Sequence, residues 1–267
     1  MNMAMAACQF EPVIGDRRAN LDRVGELAAS LPADVALAVF PELCLTGYDL
    51  NDIEGMAEPV PGPTSDEAVT LSRNVKTKLV LGLPERDGSE LYNTTIVVSP
   101  EGVQATYRKQ YLWGEEDEVF RPGDQPTVIE TQAGRVGILC CYDLNFPEVA
   151  LAYAHRDCDV LVVPAAWRES FYGDWRLLCR ARARDGPCYV IGSNHTGDQR
   201  GREHAGHSLI AGPSGEILAE ADETSGTVIG EISNEVLCRE HEQNPVRETR
   251  RAREQTKYDD LDLSESA

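Results

Sequence analysis

The stretch Gly137-Ile138-Leu139-Cys140-Cys141-Tyr142-Asp143-Leu144-Asn145-Phe146-Pro147-Glu148 combines the end of a strand, a turn and the start of a helix. Its first half is a short apolar run, and Pro147 suits the first turn of a helix. Two adjacent cysteines stand at the end of the strand, where a thiol meets solvent and backbone N–H groups together. The pair is either a presented nucleophile or two buried cysteines that pack as small hydrophobic side chains, which is the commoner fate of free cysteine.

The composition restricts the class of protein. With 267 residues, 42% of them hydrophobic, the chain is long enough for a large α/β domain with a substantial core. The net charge of −20 argues against nucleic acid and anionic membrane surfaces as partners, because phosphate contacts need clustered Lys and Arg. No apolar run approaches 18 residues, no signal-peptide pattern opens the chain, and the eight cysteines form no C-x-x-C pair. We therefore expect a reduced, cytoplasmic protein with no metal site.

Strand and helix patterns alternate along the sequence. Apolar runs predict strands at 5–10, 35–40, 78–83, 92–99, 103–107, 127–130, 135–141, 159–163, 188–193, 208–211, 216–219 and 227–232. Helical spacing predicts helices at 20–31, 64–75, 148–156, 174–184 and from Asn234 onward, and Thr64 with Glu67 suggests a capping box for the second. No linker or repeat divides the chain, so we expect one α/β domain over residues 1–258 and an acidic, disordered tail over 259–267.

Two charged residues follow predicted strands in the same way as Cys141, and a third lies in the loop after the second of them. Glu42 comes just after the buried run 35–40, Lys109 follows the strand 103–107, and Glu116 lies in the long loop after Lys109. Each of them alone has an ordinary interpretation as a solvated charge. Together, a carboxylate that takes the thiol proton and an ammonium that stabilises thiolate and oxyanion are suited to acyl transfer from a carbon–nitrogen bond through a thioester.

The segments around these residues resemble a known family. The matching motifs are Phe40-Pro41-Glu42-Leu43 with Thr46-Gly47-Tyr48, then Tyr107-Arg108-Lys109, then Cys141-Tyr142-Asp143 with Phe146-Pro147-Glu148. In this order and spacing they resemble the nitrilase superfamily of carbon–nitrogen hydrolases. The resemblance implies a four-layer α-β-β-α sandwich, pairing as a homodimer or a higher homo-oligomer, and no need for a metal or organic cofactor. The predicted helices 147–156 and 174–184 and the C-terminal segment are the candidate pairing surfaces.

The resemblance also implies a role for each matching residue. Glu42 would be the general base, Lys109 the oxyanion-stabilising cation, Cys141 the nucleophile and Glu116 the carboxylate that orients Lys109. The backbone N–H of Tyr142 would be the second oxyanion donor. The further candidate substrate-binding residues are Tyr48, Trp167, Arg168 and His195. Cys140 is expected to point away from the site, because side chains alternate along a strand.

Details of the motifs indicate which branch of the family the sequence resembles. Cys141-Tyr142-Asp143 resembles the amidase branches, whereas Cys-Trp-Glu is more usual in nitrilases, and Leu144-Asn145 stands where carbamoylases often have arginines. We therefore expect an amidase that releases ammonia from small carboxamides, with Arg168 as the anchor for any substrate carboxylate. The alternatives are an N-carbamoyl amidohydrolase, a nitrilase, an inactive binding scaffold and, less favoured because adjacent cysteines form a strained ring, a redox thiol sensor. Tyr111 and Asp185-Gly186 depart from the family pattern and are expected to affect specificity.

Overall fold

Two sheets of six strands organise the computed structural model, which describes residues 2–132 and 134–253. The first sheet contains β1 (Asn2–Gln9), β2 (Val35–Val39), β3 (Lys78–Asp87), β4 (Glu90–Ser99), β5 (Gly102–Arg108) and β14 (Gly226–Ser233). Its strand order is β14-β1-β2-β3-β4-β5, and β1, β2 and β3 run parallel to one another. The carboxyl ends of these parallel strands therefore meet at one edge of the sheet.

The second sheet is built in the same manner. It contains β6 (Val128–Thr131), β7 (Gly134–Ile138), β8 (Val160–Ala165), β9 (Tyr189–Asn194), β12 (Leu209–Ala211) and β13 (Ile217–Glu220) in the order β13-β12-β9-β8-β7-β6. The strands β7, β8 and β9 are parallel, and the outer pairs are antiparallel. A separate small hairpin of β10 (Asp198–Gln199) and β11 (Arg202–Glu203), which the sequence patterns do not predict, follows β9.

Most of the helices lie between strands along the chain. They are α1 (Arg17–Ala29), α2 (Ile53–Met56), α3 (Pro63–Val75), α4 (Glu116–Val119), α5 (Pro147–Ala154), α6 (Tyr172–Asp185) and α7 (Asn234–Gln243), and residues 246–253 are helical as well. Helices α1 and α3 pack on the first sheet, while α5 and α6 pack on the second. None of the helices in the described ranges is long and apolar enough to cross a membrane.

The alternation of side chains along the central strands makes the first sheet a shared wall between two cores. Met5 and Leu37 face the second sheet, whereas Ala6 and Ala38 face α1 and α3. Strand β2 is therefore covered on both faces, as its continuous apolar run predicts. The layers run helix, sheet, sheet, helix, and the predicted four-layer α-β-β-α sandwich is confirmed.

Two local predictions are wrong. Helix α3 is capped by Gly62 rather than Thr64, because Pro63 takes the first helical position and the Ser65 hydroxyl accepts from the Gly62 N–H at 2.8 Å. Strand β7 ends at Ile138, so Cys140 and Cys141 lie beyond it instead of within it. The predicted tail 259–267 falls outside the described residues, and a single domain over 1–258 stays a prediction.

Candidate active site

A sharp turn after β7 presents Cys141. Cys140 is still extended, with φ −130° and ψ 114°, but Cys141 has φ +46°, a left-handed conformation that residues other than glycine rarely adopt. The chain then enters one 3₁₀ turn, Cys141–Asn145. Such a conformation persists only where the surroundings hold it, and it occurs mostly at functional sites.

Asp143 supplies much of that support. Its carboxylate accepts from the Cys140 N–H at 2.9 Å and the Tyr107 hydroxyl at 2.6 Å through Oδ2, and from the Tyr111 N–H at 2.8 Å through Oδ1. Tyr107 and Tyr111 flank Lys109 on the other side of the interface between the sheets. Burial raises the pKa of Asp143 to about 6, against the hydrogen bond from Tyr107 and the field of Lys109. This one side chain therefore ties the cysteine turn to the segment that carries the lysine.

Glu42 lies on a second turn, directly beyond β2. Leu43 has φ +47°, and the turn packs on Gly82 of β3 so closely that a Cβ there would lie 2.2 Å from the Leu43 nitrogen. The imidazole Nε2 of His195 hydrogen-bonds the backbone carbonyl of Glu42. The Glu42 side chain is completely buried at the carboxyl edge of the first sheet.

Lys109 joins Glu42 to Glu116. Its Nζ lies 2.7 Å from Glu42 Oε1 and 2.9 and 2.8 Å from the two carboxylate oxygens of Glu116. All three side chains are at most 1% exposed. A buried charge is tolerated only when it is paired and hydrogen-bonded, and here one ammonium holds two carboxylates. The structure therefore brings Glu42, Lys109 and Glu116 together as the sequence predicts.

Two further side chains complete this buried cluster. Asn93 Nδ2 donates to Glu42 Oε1 at 2.8 Å and to Glu116 Oε1 at 3.3 Å, while the Tyr48 hydroxyl donates to Glu116 Oε1 at 2.8 Å. Sequence reasoning missed Asn93. The available signal is an amide within β4, where the side chains around it are buried. Tyr48, which the sequence predicts as a substrate-binding residue, contacts Glu116 and is therefore part of the cluster.

The charges of the cluster follow from burial and pairing. Burial opposes ionisation of Glu42, but the ammonium of Lys109 and the hydrogen bonds from Lys109, Cys141 and Asn93 outweigh it and lower the pKa of Glu42. Burial also opposes the ammonium of Lys109, but Glu116 and Glu42 raise its pKa well above the ordinary value. Burial, followed by the negative charge of Glu42, raises the pKa of Cys141 well above the ordinary value. The resting site thus contains a neutral thiol beside an ionised carboxylate.

A cavity of about 180 Å³ opens onto this cluster. Its wall residues are Glu42, Tyr48, Lys109, Trp113, Cys141, Tyr142, Asn145, Ala166, Trp167, Arg168, Phe171, Asp174, Arg202 and His204. Glu42, Lys109 and Cys141 thus share one cavity with the predicted Tyr48, Tyr142, Trp167 and Arg168. Within the described ranges, no group of three or more His, Cys, Asp or Glu side chains is arranged to hold a metal ion.

His195 is the predicted binding residue that does not line the cavity. It is fully buried behind the Glu42 turn, and its ring lies against that of His204, with 5.0 Å between the ring centroids. His204 lines the cavity in its place, because the chain directly after β11 pairs with Arg168 through an antiparallel bridge. Sequence reasoning missed His204 because the hairpin of β10 and β11 has no apolar pattern.

The orientation predicted for Cys140 is also wrong. Its thiol does not point away from the site but donates to Glu42 Oε1, with 3.4 Å between sulfur and oxygen. Strand alternation applies only within a regular strand, and here β7 has already ended and Cys141 has a positive φ. Cys140 consequently faces the carboxylate at the wall of the cavity that Cys141 lines.

The positions that depart from the family pattern support the cysteine turn from behind. Tyr111 stacks on Phe146, with ring centroids 3.6 Å apart, and does not line the cavity. Asp185 pairs with Arg182, whose Nε donates to the Leu144 carbonyl at 2.9 Å. These contacts place both departures in the framework of the site. Their effect on specificity stays a prediction.

Comparison with known proteins gives the class of the protein. Residues 4–238 match the sequence model of the family described as carbon-nitrogen hydrolase. The chain belongs to this family of carbon–nitrogen hydrolases, and the predicted resemblance is confirmed.

Individual relatives agree with the family. Omega-amidase NIT2 of Xenopus tropicalis is 32% identical over 246 residues, which cover 87% of this chain and 89% of that protein. The structure of Saccharomyces cerevisiae Nit3, a member of branch 10 of the nitrilase superfamily, superimposes with a TM-score of 0.86 at 29% identity, covering 92% and 95% of the two chains. A variant of the amidase from Nesterenkonia sp. AN1, with the acetamide moiety of fluoroacetamide added covalently at its active-site cysteine, gives 0.80 at 26% identity, covering 89% and 92%.

Proposed function

We propose that this carbon–nitrogen hydrolase is an amidase that converts small carboxamides to carboxylic acids and ammonia through a thioester on Cys141. The observation that carries the proposal is the contact of Glu42 and Glu116 with Lys109, buried at the wall of the cavity that Cys141 lines. Carboxylate, ammonium and thiol then meet where an amide carbonyl can enter. The covalent acetamide adduct at the cysteine of the Nesterenkonia amidase and the amidase names of relatives support the same chemistry.

In the first half of the reaction, Glu42 takes the proton of the Cys141 thiol while the sulfur attacks the amide carbon. The carbon–sulfur bond forms, and the carbonyl oxygen becomes an oxyanion that Lys109 and the Tyr142 N–H stabilise. Collapse of this intermediate breaks the carbon–nitrogen bond. The departing nitrogen takes the proton back from Glu42 and leaves as ammonia.

In the second half, water attacks the thioester. Glu42 takes a proton from the water, the carbon–sulfur bond breaks, and the sulfur recovers the proton as the carboxylic acid leaves. Glu116 does not touch the reacting atoms in this scheme. It holds the ammonium of Lys109 in place with two oxygens and keeps it charged.

Amides that carry a carboxylate at the far end of the molecule, the ω-amide acids, are a second candidate substrate class. The Arg168 guanidinium lies over the Trp113 ring, 4.4 Å from its centroid, and pairs with none of the carboxylates in the described part of the chain. Arg202 lies in the same wall. A guanidinium that is planar, charged and without an anionic partner suits a substrate carboxylate. An ω-amide acid should then have a lower KM than the uncharged amide of the same length.

The test is ammonia release by the purified protein from a panel of primary amides, ω-amide acids, N-carbamoyl amino acids and nitriles. We expect turnover of amides, complete loss of turnover in Cys141→Ala, and an acyl adduct on the Cys141 peptide when the wild type is quenched with substrate and analysed by mass spectrometry. Cys188→Ala, which removes another buried thiol outside the site, is the matched control and should keep wild-type turnover.

Each failure has a distinct meaning. Turnover in Cys141→Ala equal to that of the wild type would exclude Cys141 as the nucleophile. Turnover of N-carbamoyl compounds or nitriles in preference to amides would assign the protein to one of those branches. No adduct and no ammonia from any compound would favour a binding scaffold of the same fold.

A further inference from the structure

The two oxygens of the Glu42 carboxylate have different surroundings. Oε1 accepts from three side chains: Lys109 Nζ at 2.7 Å, Asn93 Nδ2 at 2.8 Å and Cys140 Sγ at 3.4 Å. A carboxylate oxygen has about two lone-pair directions, so three donors leave Oε1 little capacity for a further proton donor. Oε1 is therefore the oxygen that fixes the carboxylate.

Oε2 is the less occupied oxygen of the carboxylate. It accepts from the backbone N–H of Ala166 at 3.0 Å, and Ala166 lines the cavity. Cys141 lines the same cavity as Ala166 and Glu42. With a single donor, Oε2 thus keeps a free lone-pair direction at the wall of the cavity that Cys141 lines.

We infer that Cys140 is a positioning residue of the hydrolysis: its thiol completes the donor set on Glu42 Oε1, so that Oε2 is the oxygen that takes the proton of Cys141. This rests on the proposed function, in which Glu42 is the general base. In the proton transfer, the Cys141 S–H bond breaks and an O–H bond forms at Oε2, while the Cys140 S–H bond stays intact.

The surroundings of Cys140 suit a donor and not a second nucleophile. Its side chain is 1% exposed and, unlike Cys141, it does not line the cavity. Burial and the charge of Glu42 raise the pKa of Cys140 well above the ordinary value, so the thiol keeps the proton that it donates. The Asp143 carboxylate fixes the Cys140 N–H at 2.9 Å and thereby sets the direction of the side chain.

Two substitutions of equal size separate donation from packing. Serine and alanine have nearly the same volume, so Cys140→Ser and Cys140→Ala leave the same space behind, but only serine keeps a donor. A thiol is a weak donor, and we expect Cys140→Ala to lower kcat about fivefold with KM within about twofold of the wild type. We expect Cys140→Ser to keep kcat within about twofold.

The pH profile reports the same difference without relying on the size of the rate effect. Loss of a donor to a carboxylate raises the pKa of that carboxylate, so the acid limb of kcat/KM should move up by about half a pH unit in Cys140→Ala and stay in place in Cys140→Ser. Chloroacetamide alkylates the thiolate of Cys141, and mass spectrometry of the Cys141 peptide follows the rate. This rate should fall in Cys140→Ala and stay near that of the wild type in Cys140→Ser, since Glu42 forms the thiolate in this reaction too.

The outcomes distinguish this inference from the proposed function. If the wild type hydrolyses amides but both variants have the same rate and acid limb, Cys140 only packs, and the inference is overturned while the amidase stands. If the wild type hydrolyses no amide, the proposed function fails, and the alkylation profile alone still tests the role of Cys140. Cys188→Ala controls for the general effect of losing a buried thiol.

Discussion

Lys109 uses its three N–H groups on two carboxylates. One contact goes to Glu42 and two go to Glu116, whose oxygens also accept from the Tyr48 hydroxyl and, at 2.7 Å, from the Trp113 N–H. The position of the ammonium is therefore set mainly by Glu116. The negative charge of Glu116 is also the largest influence that raises the pKa of Lys109 against burial.

Glu116→Gln should consequently damage both activity and stability. The amide keeps the shape but removes the charge, and its NH₂ group faces donors where the carboxylate accepted. We expect kcat/KM to fall at least about 100-fold and the free energy of unfolding to fall by about 3 kcal/mol, as for other broken buried pairs. Steady-state kinetics and urea unfolding measure the two effects.

Glu118→Gln is the matched control for this substitution. Glu118 lies on the same short helix α4 and is exposed, so both quantities should stay near those of the wild type. Activity of Glu116→Gln within about twofold of the wild type would contradict the role given to Glu116.

Residues whose side-chain chemistry and motif both indicate a role can be predicted from the sequence. Residues whose role depends on which side chains they contact in the folded chain are harder to predict. Glu42, Lys109, Glu116 and Cys141 stand at strand ends or in the functional loop, where motif and chemistry agree. Asn93 lies inside a strand, and only the three-dimensional contact with both carboxylates identifies it. Tyr142 and Arg168 line the cavity as predicted, while their roles stay predictions.

At the scale of elements, the site depends on how turns pack against strands. The Glu42 turn lies on β3 at Gly82, where a Cβ would come within 2.2 Å of the Leu43 nitrogen and 2.9 Å of the Glu42 carbonyl carbon. Backbone atoms cannot yield as the end of a flexible side chain can. A glycine here is required by close approach of two backbones and not by a turn conformation.

Gly82→Ala should therefore displace Glu42, the proposed general base. We expect a decrease in kcat of at least about tenfold and a decrease in the free energy of unfolding of about 2 kcal/mol, because the extra methyl group overpacks the region. Gly226→Ala, in β14, has open space around the added carbon and should change neither quantity. Wild-type kinetics in Gly82→Ala would show that the Glu42 turn tolerates displacement.

The predictability of elements follows the strength of their apolar patterns. The long runs of β2, β8 and β9 are placed within about two residues, because burial on both faces leaves a continuous signal. The hairpin of β10 and β11 is polar and very short, so its residues 198–203 have no such signal. The cap of α3 lies two positions before the predicted Thr64, because Pro63 takes the first helical position and leaves Gly62 as the cap.

At the scale of the whole molecule, the site lies across the interface between the sheets. Glu42 and Lys109 follow β2 and β5 of the first sheet, whereas Cys141 and Ala166 follow β7 and β8 of the second. Hydrogen bonds cross this interface at the site, such as that from the Ala166 N–H to Glu42 Oε2 at 3.0 Å. Assembly as a homodimer or a higher homo-oligomer, and cytoplasmic localisation, stay predictions.

Two buried histidines make the stability of the whole molecule depend on pH. Burial lowers the pKa of His195 to about 4 and of His204 to about 3, below the ordinary 6.5. Between pH 6.5 and 4 the unfolded chain binds protons at these positions that the folded chain does not bind. The free energy of unfolding should therefore fall as the pH is lowered through this window, by up to about 1.4 kcal/mol per pH unit for each histidine.

Urea unfolding at pH 7, 6 and 5 measures this dependence, and His204→Gln should decrease the slope by the contribution of one histidine. Asp143 acts with the opposite sign, since its raised pKa makes the folded chain bind a proton more tightly between about pH 4 and 6. The difference between variant and wild type removes that contribution. An unchanged slope in His204→Gln would contradict the assigned state of the imidazole.

The three contacts of Asp143 couple the position of the turn at Cys141 to the position of the segment around Lys109. The Asp143 carboxylate accepts hydrogen bonds from the Cys140 N–H before the turn and from Tyr107 and Tyr111 on either side of Lys109, with every distance below 3 Å. Sliding of one sheet past the other has to stretch these bonds and separate Cys141 from Glu42, and a misplacement of about 1 Å can lower a catalysed rate about 100-fold. On heating, we therefore expect turnover to be lost at a lower temperature than the secondary structure of the two sheets. The difference between these two temperatures measures how strongly the sheets are held against each other.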